Sequence, residues 1–374
     1  MKYLIRCKHL ILDHIRCLYY VIFNEKHKFN MRRFRECDNL KPKSQIKSEL
    51  MALKDFWGCI PMQYYTHDFY SADCTLSLEE MKNYIPGYYF YKVLYPHYDD
   101  IAYANAILED KSVMNCLFTG LGFPQSQILF LKKGNVLFDA QGSVVNQERF
   151  DDVIGTLNCD KIFIKPINGR GGKGILIAKY CVDGIYTVAN KPLSHLLIKE
   201  LAGNYVIEPS IKQIDYIDKI YPHSVNTLRA ITKRDDNGKI TLIGMTLRMG
   251  NSGREIDNGS AGGFLIGINL ETGTAIRDYA SYNYGIEKFV SHPDTDFVFS
   301  ELQIPDWNNI KEQILGFAQQ FVFLDLVGWD IAITEHGALV IEANTYFGID
   351  HLQAGLGGIR KDFIQCDPKK YLYM

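Results

Sequence analysis

The run Ile164-Lys165-Pro166-Ile167-Asn168-Gly169-Arg170-Gly171-Gly172-Lys173-Gly174 sets four glycines within six positions, directly after an apolar, strand-like segment. Glycine lets a backbone approach an anion and turn its N–H groups toward it. Lys165, at the end of a buried strand, adds a fixed positive charge. Those residue types suit a phosphate. The spacing is neither Gly-x-x-x-x-Gly-Lys-Ser/Thr nor Gly-x-Gly-x-x-Gly, and a strand rather than a helix follows, which excludes the P-loop and the dinucleotide fingerprint. A flexible hairpin turn would have the same composition, so the loop needs company to mean more.

Company comes from two apolar strands near the C-terminal end, Val327 to Thr334 and Ala338 to Asn344, joined by Glu335-His336-Gly337. Pairing Thr334 with Ala338 across the turn sets Asp330 directly opposite Glu342. Like charges facing each other across a ladder repel, and burial among Ile, Val and Trp makes both costlier. A divalent cation between them removes the conflict. Asn344 lies two residues beyond Glu342 on the same face and offers a neutral oxygen, while Gly328 opposite it leaves room for a ligand. Hard oxygen donors with open positions suit Mg²⁺, or Mn²⁺, bound together with nucleotide phosphates. An exposed hairpin with salt-bridged acids is the plainer reading, and it fits such apolar strands poorly.

Two arginines complete the set. Asn226-Thr227-Leu228-Arg229 opens one strand and Leu247-Arg248-Met249-Gly250 closes its partner, on either side of an Asp235-Asp236-Asn237-Gly238 turn. With two or four loop residues the opposing numbers sum to an odd value, so Arg229, Arg248 and Thr227 share a face. Paired guanidinium groups suit a phosphate or carboxylate gripped at two points; an exposed face with each Arg paired to an acid is the alternative. Gly250-Asn251-Ser252-Gly253-Arg254 and Asp257-Asn258-Gly259-Ser260-Ala261-Gly262-Gly263 read as loops over a reactive centre, or as plain mobile loops.

The elements that must position these groups follow from the pattern of apolar residues. Ser112 to Leu121 predicts a helix stopped by Gly120, Gly122 and Pro124. Gln127 to Leu131 and Val136 to Phe138 predict strands about Lys133-Gly134-Asn135. Lys161–Lys165, Ile175–Tyr180, Gly184–Ala189 and Tyr205–Glu208 predict a small four-strand unit with one helix, Leu193–Leu201, inserted between larger pieces. After Pro209 long antiparallel strands take over. The first 95 residues read as mostly helical, ending in a tyrosine-rich stretch from Tyr84 to Tyr98 that suits core or interface packing more often than sugar stacking.

Composition narrows the class. The 374 residues are 47% hydrophobic and 22% charged, with 30 Gly and 12 Pro, which excludes a disordered, collagen-like or linker-dominated chain. Lys and Arg total 41 against 43 Asp and Glu, a net charge of −2, so no global basic field points to nucleic acid. Nine cysteines stand singly with no CxxC or CxxH spacing, which argues against a zinc knuckle or disulfide framework and for the reducing cytoplasm. Met1 to Phe23 is apolar, yet Lys2, Arg6, Lys8, Asp13 and Arg16 interrupt every window long enough to span a bilayer, and Lys8 and Asp13 break a secretory core. Leu4, Cys7, Leu10, Ile11 and Leu18 follow helical spacing. That helix either packs on its own domain or lies on a membrane surface as a peripheral contact. No feature sets an oligomeric state.

Taken in order, the strand Lys-Pro with its glycine loop, the two arginine strands and the Asp…Glu-x-Asn hairpin resemble the ATP-grasp pattern. More closely, Pro222-His223-Ser224-Val225-Asn226-Thr227-Leu228-Arg229, Leu247-Arg248-Met249-Gly250, Asp257-Asn258 and Val327-Gly328-Trp329-Asp330 are similar to the sugar-transfer-associated ATP-grasp proteins, relatives of α-L-glutamate ligases, over roughly residues 105 to 360. The resemblance implies an α/β (α+β) fold: a mostly helical region (1–104), a preceding segment (105–160), a small antiparallel lid (161–207) and a larger antiparallel catalytic body (208–374). It implies ATP with Mg²⁺ as the bound groups. Lys111 and Lys165 match the phosphate lysines; Gly169, Arg170, Gly171, Gly172, Lys173 and Gly174 match the lid loop. Glu208, Pro209, Ser210 and Ile211 match the hinge that grips adenine, and Asp215 is the candidate for an acidic ribose ligand that has no clear match. Asp330, Glu342 and Asn344 match the metal ligands. Arg229 and Arg248 match positions facing the transferred phosphate, with Asp257 and Asn258 in the loop above them.

The implied reaction is amide formation from a carboxylate and an amine through an acyl phosphate, in the modification of sugars of a cell-surface polysaccharide. No Ser/His/Asp or Cys/His nucleophile is needed, and none is evident. A kinase acting on a hydroxyl, with Asp257 or His351 as base, shares the nucleotide machinery. A non-catalytic nucleotide-binding scaffold stands third, because the phosphate lysines and metal ligands are all present.

Overall fold

β-branched and aromatic residues dominate the strands, and their pairing divides the β structure of this computed structural model into two sheets. The structure describes residues 15–169, 171–181, 184–255, 262–282, 284 and 287–373. The first sheet contains β1 (Phe130–Lys133), β2 (Val136–Phe138), β3 (Lys161–Pro166), β4 (Leu176–Tyr180), β5 (Tyr186–Val188), β6 (Lys191–Pro192) and β7 (Tyr205–Pro209), in the order β2-β1-β7-β3-β4-β5-β6. All its neighbours are antiparallel. The expected four-strand unit is therefore part of a seven-stranded sheet. β1 adds to it by pairing with β7, Phe130 opposite Ile207, so the hairpin that precedes the glycine loop by thirty residues belongs to the same layer. Helices Gln147–Gly155 and His195–Glu200 cover one face, and Phe130, Phe150, Ile162, Ile164, Ile198 and Ile207 form the core between them.

The second sheet contains β8 (Thr227–Arg234), β9 (Ile240–Met249), β10 (Phe264–Gly267), β11 (Ala280–Ser281), β12 (Lys288–Phe289), β13 (Leu326–Thr334) and β14 (Gly337–Asn344), in the order β12-β11-β10-β9-β8-β13-β14. One face packs on the helices Ile101–Leu108, Lys111–Leu121 and Trp307–Gln320, with Phe118, Met245, Leu247, Trp329 and Ile331 at the centre of the largest core. Trp329 is fully buried, and its Nε1–H donates to Thr232 Oγ1 at 2.8 Å.

Both long hairpins depart from the registers expected for them, and both return to register before the site. At the β8–β9 turn Asp235 N donates to Lys239 O at 3.0 Å, leaving three loop residues and paired numbers with an even sum, as in Thr232–Leu242. A bulge between Ile231 and Thr232 then adds one residue to β9, and Ile231 pairs with Gly244. At the β13–β14 turn Thr334 pairs with Gly337 rather than Ala338. A second bulge at Asp330/Ile331 adds Ile341, so that Ile331 faces Val340 while Asp330 faces Glu342. An extra residue on one strand shifts its following side chains by one register step. The two bulges thus place Thr227, Arg229 and Arg248 together, and Asp330 against Glu342, as the site requires.

The N-terminal region is mostly helical: α1 (residues 15–23), α2 (Glu25–Glu36), the helix Lys43–Trp57 and several short turns. The tyrosine-rich stretch is packing. Tyr88, Tyr89, Phe90, Tyr91 and Tyr95 share a core with Ile231, Leu326, Phe347, Ile349 and Leu352 of the body. Tyr91 Oη accepts from Gly348 N (2.9 Å) and Ile349 N (3.0 Å), which fixes the start of the helix Ile349–Leu356. Residues 15–100 are thereby an outer layer of the body. All described cysteines are free thiols, and no described helix is long and apolar enough to cross a membrane. Leu4, Cys7, Leu10 and Ile11 lie outside the described residues.

Candidate active site

The two sheets meet around a cavity of about 380 Å³, a volume in the range of small-molecule sites. On the first sheet, β3 runs out at Lys165 and Pro166 into the glycine loop. Gly171, Gly172 and Gly174 have φ of +66°, +72° and +75°, the left-handed region that disfavours any side chain. Gly169, Gly171, Gly172 and Lys173 line the cavity. Lys165 Nζ pairs with Glu208 Oε2 at 2.7 Å, an ion pair made because Phe163 faces Glu208 and Lys165 faces Val206 across the β3–β7 ladder. Lys111 opens its helix behind the Asp110 cap, and its Nζ donates to Gly169 O at 2.6 Å. Burial, together with the nearby Lys165 charge, pulls the Lys111 ammonium below its ordinary pKa. Both lysines and the loop glycines therefore lie along the cavity lining.

The opposite wall is the bulged part of the second sheet. Asp330 is buried and lies between Arg229 on β8 and Glu342 on β14. Arg229 grips it with Nε and with Nη2, the latter to Oδ2 at 2.8 Å, and sends Nη1 to Phe347 O at 2.6 Å. Arg248 Nη1 stands 3.4 Å from both Asp330 oxygens. Burial pushes the Asp330 pKa up, but the two guanidinium groups outweigh it and hold the carboxyl below the usual range. Glu342 goes the other way: burial, then the facing Asp330 charge, raise it. Asn344 Nδ2 donates to Glu342 Oε1 at 3.2 Å.

The conflict between facing acids is thus answered first by arginine at Asp330. Glu342 keeps the unrelieved part, which a cation would relieve. Among the described residues no group of three or more His, Cys, Asp or Glu gathers at one point. A hard divalent cation fits here through Glu342, Asn344 and the remaining lone pairs of Asp330, with its other positions left to a ligand's oxygens. One expectation is corrected: Gly328 does not leave room for a ligand. A Cβ there would lie 2.2 Å from Phe347 Cβ, so the glycine admits Phe347.

Lys111, Lys165, Pro209, Ile211, Arg229, Arg248, Asp330, Glu342 and Asn344 line the cavity with the loop residues. Gly174, Glu208, Ser210 and Asp215 are outside its lining. Glu208 is buried against Lys165, Ser210 N donates to Lys161 O at 2.9 Å, and Asp215 is exposed in a four-residue helix. Arg170, Asp257 and Asn258 lie outside the described residues. Sequence reasoning missed Glu255, which lines the cavity and bridges Lys161 (3.0 Å) and Lys179 (3.1 Å), tying the body to β3 and β4. An acid between two glycine-rich turns carries no motif that would have revealed it. His351 also lines the cavity, at the end made by Tyr346, Phe347 and Gly348. Burial, with Lys26, Arg229 and Arg248 nearby, lowers its pKa well below the ordinary histidine value and keeps it neutral.

The family model for sugar-transfer associated ATP-grasp matches residues 91–362, and the chain belongs to that family. The match starts within the tyrosine-rich stretch, upstream of the boundary expected near residue 105. A comparison with curated proteins returned no match. Among solved structures, similar folds include D-alanyl-alanine synthetase A from Vibrio cholerae O1 biovar eltor, at 14% identity over 72% of this chain and 67% of that one, with a TM-score of 0.40. A D-alanine–D-alanine ligase from Bacillus anthracis is 12% identical over 72% and 67%, with a TM-score of 0.37. N5-carboxyaminoimidazole ribonucleotide synthetase from Thermotoga maritima is 12% identical over 64% of this chain and 42% of its own, with a TM-score of 0.34. The chain spans less than half the length of that synthetase.

Proposed function

We propose that the protein is an ATP-dependent carboxylate–amine ligase that forms an amide through an acyl phosphate, acting on sugars or sugar-linked acids of a surface polysaccharide. The observation that carries this reading is that a glycine loop with two lysines and a carboxylate–arginine cluster face each other across one cavity. Lys111, Lys165 and the loop N–H groups would hold the phosphates of ATP. Glu342, Asn344 and Asp330 would hold Mg²⁺, which when bound screens phosphate charge. Pro209 and Ile211, which also line the cavity, would offer apolar contacts for a base.

Arg229 directs three of its N–H donors to protein acceptors, so its part is to hold Asp330 in place. Arg248, at longer range from Asp330, would meet the phosphoryl group as charge moves onto it. A substrate carboxylate then attacks the γ-phosphorus, ADP leaves, and an amine displaces phosphate from the acyl carbon. His351 lines the same cavity and, being neutral, can accept a hydrogen bond from an amine or hydroxyl.

That histidine also favours the second reading, a kinase in which a hydroxyl attacks the same phosphorus. Hydroxylamine separates the two. Incubation with ATP, Mg²⁺ and a panel of amino acids and nucleotide-linked uronic acids is expected to give an acid-dependent hydroxamate and free phosphate. ADP with a phosphorylated alcohol and no hydroxamate decides for the kinase. Absence of ATP turnover with every acid, amine and alcohol would leave only the nucleotide-binding scaffold.

A further inference from the structure

α1 is apolar on both faces. Its inner face is seated: Cys17 is buried, and the Tyr20 ring packs on His27 (5.4 Å between centroids) and Tyr88 (5.6 Å). Its outer face carries Ile15, Leu18, Tyr19, Ile22 and Phe23, each between 49% and 63% exposed. Single exposed apolar residues need no explanation, but these five recur at i, i+3, i+4, i+7 and i+8, the full stripe by which a helix buries one side. α2 follows after one residue and turns Lys28, Phe29, Arg32 and Arg35 outward together with Glu25 and Glu36, Lys28 pairing with Glu25 and Phe29 packing on Tyr284. The outer surface of this helix pair is therefore an apolar strip continued by a mixed face with an excess of positive charge.

Charge selects the occupant. The exposed charged residues of α1 and α2 are Arg16, Lys28, Arg32 and Arg35 against Glu25 and Glu36, a net charge of +2, in a chain whose total is −2. Lys26 and Arg33 turn inward to Asp350 and Asp68, so the outer face of the pair is its positive side. A two-fold dimer through this surface would bring two such positive faces together. An anionic lipid surface is complementary to it. Tyr19, Phe23 and Phe29 are the amphipathic and aromatic side chains that settle at a bilayer interface, and Lys and Arg stems reach from there to the headgroups.

We propose that the outward faces of α1 and α2 dock the protein on an anionic phospholipid bilayer as a peripheral, non-spanning contact. The inference is independent of the reaction assigned to the cavity. Its test is flotation of the full chain with vesicles of phosphatidylcholine alone and of phosphatidylcholine with roughly a third phosphatidylglycerol, at physiological salt. The protein is expected to float with the anionic vesicles, to stay behind with the neutral ones, and to be released by about 1 M salt, where charges are screened within a few ångströms. Leu18→Glu with Ile22→Glu, both exposed, should keep the thermal transition and abolish flotation. Arg32→Glu with Arg35→Glu should lower the affinity by about tenfold or more. Equal binding to neutral vesicles, no binding to either, or an unaffected Leu18/Ile22 double variant would overturn the proposal. So would a lipid-free dimer that the same double variant dissolves, which would give the stripe to a second copy.

Discussion

The hairpins β3–β4 and β13–β14 serve the same cavity and are built on opposite plans. The first offers a loop: three left-handed glycines between short strands, with Lys165 paired to one acid and Lys111 leaning on a loop carbonyl. Its loop and Lys165 lie within a dozen residues, completed by Lys111 from a neighbouring helix and Glu208 from β7. The second offers buried acids on long strands, set by a bulge and held by arginines that arrive from β8 and β9, up to 101 residues away. A local loop can be altered without disturbing its neighbours. A buried charge network cannot, because its members compensate one another for lost water.

Asp330 should therefore show the largest effect. Asp330→Ala leaves Arg229 and Arg248 facing each other in a buried site, and denaturant unfolding should show a loss of about 3–5 kcal/mol. Glu342→Gln breaks the comparison within the same hairpin. It removes a carboxylate already pushed toward its neutral form, so stability should change by less than about 1 kcal/mol while ATP turnover falls by about a hundredfold or more. Equal destabilisation by both would mean the two acids share one role.

Acid sensitivity should arise outside both hairpins, at the buried histidines of the N-terminal layer and at His351. His27 is buried, its ring nitrogens have no hydrogen-bond partner among the described residues, and burial lowers its pKa to about 4. An unfolded chain takes up that proton below pH ~6.5 and the folded one only near 4. Stability is thus full above the unfolded value and falls as the pH drops from 6.5 to 4, by an amount on the order of 3 kcal/mol for His27. His67, also lowered to about 4 by burial, acts in the same direction. Asp350 adds a further loss only below pH ~4: burial raises its pKa, but Lys26 at 2.9 Å overrides this and holds it at about 2. Urea melts at pH 7 and pH 5 should separate for the wild type and draw closer for His27→Gln, the remaining gap belonging to His67 and His351.

On the side of the first sheet the effects shrink. Lys165→Met strands the buried Glu208 and should cost about 1–3 kcal/mol, with a raised KM for ATP. Gly171→Ala forces a side chain into the left-handed region and should cost about 1 kcal/mol, again with weaker ATP binding. Glu255→Gln is the smallest. Its lysine partners are part-exposed, so global stability should move by about 0.5 kcal/mol or less, while amide exchange in β3 and β4 quickens as these strands lose their tie to Glu255. A large stability loss here would make the two sheets one cooperative unit and erase the contrast.

The same contrast explains what the sequence disclosed. The glycine loop and Lys165 were legible because their chemistry is contiguous. The strands β3, β4, β5 and β7 were also legible, yet membership of β1 and β2 in their sheet was not, since pairing with β7 depends on a partner seventy residues on. Asp330 opposite Glu342 followed from strand alternation, but the register behind it was wrong by one residue at the turn and restored by the Ile341 bulge. The β8–β9 pair repeats this with a three-residue turn and an extra residue, Ile243. Bulges leave no signature in hydrophobic alternation beyond a single misfit residue. Glu255, Phe347 against Gly328, and the packing of the tyrosine stretch on the body arise from contacts distant in sequence, which no local pattern encodes.

Titration calorimetry with a non-hydrolysable ATP analogue, in the presence and absence of Mg²⁺, bears most directly on a single nucleotide-metal site spanning both sheets. Wild-type protein should bind the analogue tightly only with Mg²⁺. Lys165→Met should weaken that binding, and Glu342→Gln should remove its dependence on the cation. Equal affinity with and without Mg²⁺ in all three proteins would contradict the account.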